Sequence, residues 1–177
     1  MIEDLHIQET AHVLQTTILD ILRRRAIMEG LEYRALEKKV PYELSLRIYG
    51  SDYLRSQLSD LRKFFDGRED VYRTTDLTTL ADPAVKETHE ALRDRWRAQF
   101  GDLANKYFFH REPGYLPSDG FPGQTLDMFI DDLDIFLNKL VESLTRAGYK
   151  VGYIPRDKEH LQILKADAVK FYSRLGD

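Results

Sequence analysis

At 177 residues the chain can bury a sizeable core, and its 42% hydrophobic and 32% charged residues are ordinary for a globular protein. A net charge of −4 excludes broad, non-specific adsorption to nucleic acid over the whole surface, but leaves room for a local basic patch. With no cysteine there is no disulfide, no thiolate zinc site and no cysteine nucleophile.

The start, MIEDLHIQET, lacks the basic residues and apolar run of a secretion signal. No stretch approaches the roughly 20 apolar residues that span a bilayer. The expectation is one cytoplasmic domain over 1–177 with no membrane partner. Residues 4 to about 38 predict a long helix, with Ala11, Leu14, Ile18, Ile21, Arg25 and Met28 at three- and four-residue steps. Arg23-Arg24-Arg25 reads as a solvated, cation-rich helix end, and Gly30 is placed to bend or end the helix. Pro41 resets the chain. Leu44, Ile48, Leu54, Leu58, Leu61 and Phe65 predict a second helix over 42–65, with a break at Gly50-Ser51-Asp52 and a stop at Gly67. The alternation Leu44, Leu46, Ile48 also fits a short, isolated strand. Residues 68–81 read as a polar connection from which Leu77 and Leu80 dip into the core.

Asp82-Pro83 starts a third helix, with Asp82 as N-cap and Pro83 in the first turn. This helix is expected to reach about His110. Its apolar face runs Leu92, Trp96, Phe100, Leu103, Tyr107, and at about 100° per residue His110 lies on the edge of that face. Residues 112–124, with three prolines and three glycines, form a loop that reads as a crossover or as a cover for His110. Residues 125–147 give the clearest helix, an unbroken stripe from Leu126 to Leu144 ended by Gly148. Met128 and Ile135 lie almost opposite that stripe, which points to a second apolar contact and a homodimer. After a short connector over 149–155, Asp157 caps a last helix carrying Leu161, Leu164, Ala168, Phe171 and Leu175. The pattern is all-α, about five helices in one bundle.

Catalytic signatures are sparse. Asp127, Asp131, Asp134 and Asn138 share one strip of the amphipathic helix, but no Glu-x-x-His pair accompanies them, so a solvated face is expected and no metal or other cofactor. His6, His12, His89 and His160 have no partners at ligand spacing, and a surface role is expected for each. The segment Asn105-Lys106-Tyr107-Phe108-Phe109-His110-Arg111 is different. Lys106 stands one turn before His110, Arg111 is adjacent, and Arg95 falls within about 60° of His110 on the wheel. Such a group can hold a phosphate while the imidazole moves a proton. A partly buried structural histidine is the competing reading.

Asn-Lys-x-x-Phe-His-Arg at the end of a long helix resembles the motif region of HEPN-fold proteins, above all the branch found in bacterial abortive-infection systems. A second match is Leu58-Ser59-Asp60-Leu61-Arg62-Lys63-Phe64-Phe65-Asp66 followed by Asp76-Leu77-Thr78-Thr79-Leu80, similar to that branch's apolar helix and connector. The likeness spans roughly 45–145. It implies an α-helical bundle, often a homodimer, and RNA as the ligand. Catalytic members are metal-independent ribonucleases in which a histidine assists attack by the RNA 2′-hydroxyl and an arginine steadies the phosphate. By this resemblance His110 is the proton-transfer residue and Asn105 the polar residue that follows the family arginine; with Arg111 and Arg95, which adjacency and the wheel set near His110, Asn105 is expected to bind substrate. The family arginine falls on Ala104, which leaves Lys106 as the substitute cation.

Overall fold

The structure is a computed structural model describing residues 2–38, 43–65, 73–105 and 123–174. The fold is all-α, and no strand occurs among the described residues. Six α-helices are present among them: α1 (Ile2–Lys38), α2 (Glu43–Phe65), α3 (Thr74–Thr78), α4 (Pro83–Trp96), α5 (Gly123–Arg146) and α6 (Lys158–Arg174). A π-helical turn, Arg97–Gly101, continues α4 without a break. The five expected helices are thus joined by the short α3, which lies inside the predicted connection. None of the described helices is long and apolar enough to cross a membrane.

Two punctuation signals fail. Gly30 does not end or interrupt α1, and α2 passes through Gly50-Ser51-Asp52 as helix, which also removes the strand alternative at 44–48. Glycine inside a helix costs only about 1 kcal/mol relative to alanine, so tertiary packing overrides it. Pro41 and Gly67 lie outside the described residues.

The chain groups into two compact units. The first comprises Met1–Ile18 with Leu58–Ile154. Its core takes Ile7, Ala11, Leu14 and Ile18 from α1, and Leu58, Leu61 and Phe64 from α2. From α5 it takes the whole expected stripe, Leu126 through Leu144. Gly148 ends α5 as predicted: its φ is 95°, Tyr149 N–H donates to the Leu144 carbonyl (3.0 Å) and Gly148 N–H to Thr145 (3.1 Å). Those two bonds satisfy the last carbonyls in the manner of a Schellman motif. A buried side chain of α1 bonds the extended stretch that follows. Gln15, buried in α1, donates from Nε2 to the Gly152 carbonyl (2.7 Å) and accepts at Oε1 from Ile154 N–H (2.8 Å). An amide thereby stands in for a neighbouring strand, pairing backbone groups that the connector cannot pair by itself.

The second unit comprises Leu19–Gln57 with Pro155–Asp177. Ile21, Leu22, Ala26 and Met28 of α1, Leu54 of α2 and Ala168 of α6 are buried in it. Gln57, fully buried, donates to the Ile21 carbonyl (3.0 Å) and accepts from Arg24 Nε (3.2 Å). Asp157 caps α6 as predicted, accepting from His160 N–H at 3.0 Å. Gly30 owes its place to α6. A Cβ built on it would stand 2.5 Å from the Lys165 carbonyl oxygen and 2.9 Å from Ala168 Cβ.

Candidate functional site

The motif helix begins as the sequence indicates and then departs from it. Pro83 occupies the first turn, but the Asp82 side chain makes no capping bond. It accepts instead from Arg146 (2.6 Å), while Asp82 N–H donates to the hydroxyl of buried Ser143 (2.8 Å). Both partners lie on α5, so the start of α4 is fixed by the neighbouring helix. Val85, His89, Leu92 and Trp96 then form the buried face at steps of four, three and four.

His89 therefore corrects the expectation of a surface histidine. It is 2% exposed, and its ring lies between Phe65 (centroids 5.9 Å, 18°) and Phe136 (5.6 Å, 27°). The ring donates to the Phe64 carbonyl, and Nε2 has no hydrogen-bond partner, which makes Nδ1 the donor. Burial holds its pKa below the ordinary 6.5; the bond to Phe64 opposes this, Arg93 adds to the lowering and Glu90 opposes it. The sequence did carry a signal for this burial: His89 sits in register with Val85, Leu92 and Trp96.

Beyond Trp96 the helix widens. Residues 97–101 and 103–105 are π-helical, not the α-helix expected as far as His110. Trp96 and Phe100 both pack on Phe129 (6.0 and 5.4 Å) and on each other (5.5 Å). At four residues apart the two rings share a side in α geometry as well, so their packing does not require the wide turn. The wheel angles that placed Arg95 relative to His110 assumed α geometry throughout, so they do not carry past Trp96.

The expected site residues fare differently. Arg95 lies on α4, with its guanidinium bonded to Asp132 (2.5 Å) and Gln99 (3.2 Å) and standing 5.2 Å from the centroid of the Phe129 ring. Asn105 is exposed. Ala104, where the resemblance places the family arginine, is buried at 2% exposure beside buried Leu103. Lys106, His110, Arg111 and nearly all of the 112–124 loop lie outside the described residues. No cluster of three metal-ligating side chains occurs among the described residues, those of the α5 aspartate strip included.

One open groove of about 260 Å³ runs between α4 and α5. Thr88, Ala91, Leu92 and Arg95 form one wall, and Asp132, Ile135, Phe136 and Lys139 the other. It combines an apolar floor with two cations and one carboxylate. Phe136 is shared between this floor and the His89 stack. No protein-family model, curated protein or solved structure matches the chain.

Proposed function

We propose that this chain is a HEPN-type helical module, akin to the abortive-infection branch, that acts as a non-catalytic dimer. One observation carries the reading. The position that should present an arginine to phosphate holds a buried methyl group, Ala104. A methyl supplies no charge, and an arginine there would enter a packed face where a cation is costly. Lys106 could bring charge nearby, but only as a point charge without the bidentate fork.

The second reading is metal-independent RNA cleavage in the same defence or toxin setting. His110 would move the proton, Lys106 would replace the arginine, and Asn105, Arg111 and Arg95 would hold the phosphate. The π-helical stretch directly before the motif favours it, because such wide turns inside α-helices frequently occur at functional sites. Incubating RNA with the wild-type chain and with His110→Ala in chelator separates the two. No cleavage by either protein is the expected result. Cleavage by wild type that disappears in His110→Ala would overturn the non-catalytic reading.

A further inference from the structure

We infer that the outer face of α5, with the α4 wall of the groove, is the surface by which two copies of this chain pair antiparallel about a two-fold axis. The inference rests on the dimeric reading above and supplies the interface that reading lacks. Met128 (55% exposed) and Ile135 (53%) are large apolar side chains on this face. With Asp132 and Lys139 they fall at steps of four, three and four, which keeps them within about 60° on the wheel. Ile135 also lines the groove, so a ridge and a hollow lie side by side. A two-fold operation carries each ridge into the other copy's hollow, as an isologous contact requires.

The charges fit the same operation. Asp132 lies three residues before Ile135, and Lys139 three residues after Phe136. An antiparallel axis through Ile135 and Phe136 therefore brings Asp132 of each copy opposite Lys139 of the other. Asp132 is already held by Arg95 of its own α4. Lys139 is exposed and has no ion-pair partner among the described residues, so the second copy completes an Arg95–Asp132–Lys139 row on each side. A parallel arrangement would place Lys139 against Lys139 and Asp132 against Asp132, which like-charge repulsion disfavours. α5 is about 36 Å long, so the pairing extends well beyond a point contact.

The test uses sedimentation and cross-linking of the full chain. Wild type is expected to show a concentration-dependent dimer. Ile135→Asp should weaken association by about thirtyfold or more, and Lys139→Glu by about tenfold. Both changes are on the surface, so circular dichroism and thermal midpoint should stay at wild-type values. The absence of native cysteine gives a direct geometric readout. Ile135→Cys should oxidise to a covalent dimer, whereas Glu90→Cys, about 160° round α4 from Thr88, should not. A wild-type dimer that survives Ile135→Asp and fails to cross-link through Ile135→Cys overturns this interface while leaving the dimeric reading standing. A wild-type chain that is monomeric at every concentration overturns both.

Discussion

At the scale of single residues, the two that say most are ones whose chemistry conflicts with their surroundings. His89 keeps an unpartnered ring nitrogen inside an aromatic stack, and burial holds it neutral. The unfolded chain, with an ordinary pKa of 6.5, takes up the proton first as pH falls. Below about 6.5 the unfolded state thus binds more protons, and stability falls until the lowered folded pKa is reached. Urea midpoints measured from pH 7.5 down to 5 should decline for wild type. They should decline less for His89→Gln, whose amide does not titrate; an identical slope in both would show that other groups set the acid sensitivity. Gly30 presents a steric conflict of the opposite kind. Alanine is the better helix former, yet its methyl would meet the α6 backbone at 2.5 Å. Gly30→Ala is expected to cost about 1–3 kcal/mol and to lower the thermal midpoint, despite the gain in helix propensity.

At the scale of elements, periodicity located helices well, and of the punctuation only the glycines inside helices misled. The α5 stripe from Leu126 to Leu144 is buried throughout, because an unbroken three-and-four pattern has only one amphipathic solution. The glycines at 30 and 50 misled for a physical reason: their effect on a helix is weak, and only tertiary packing decides it. The short α3 was not legible in its run of threonines. Nor was the π-helical stretch after Trp96, since a residue list shows spacing and not the width of a turn. That stretch limits how much of the candidate site could be read in advance. The wheel angle that sets Arg95 near His110 assumes α geometry, which the stretch after Trp96 does not keep. The Gln15 clamp was also invisible, because its partners lie in another part of the chain. Gln15→Leu should expose the 149–154 backbone to exchange and cost about 1–3 kcal/mol, as expected for the loss of two part-buried hydrogen bonds at about 0.5–1.5 kcal/mol each. Native-state amide exchange at Ile154 is the measurement; unchanged protection there would show that the clamp is dispensable.

At the scale of the whole molecule, the all-α class follows from composition and pattern alone, whereas the partition into two units does not. Neither unit is a continuous piece of chain. The first takes its residues from before Ile18 and after Leu58, the second from Leu19–Gln57 and from beyond Pro155. α1 and α2 each contribute to both. A helical wheel reports which residues are buried but is silent about which neighbour buries them, so this interleaving has no signature in local pattern.

That interleaving governs when the protein can become itself. The Gln15 clamp on Gly152 joins residues 137 apart in the chain, and the Lys165–Glu29 pair joins residues 136 apart. One of these belongs to each unit. On the ribosome, α1 and α2 are therefore finished long before the 149–154 stretch and α6 are made, and neither unit can be completed until those have emerged. Whatever part of the α1 apolar face α2 leaves uncovered must wait exposed until then.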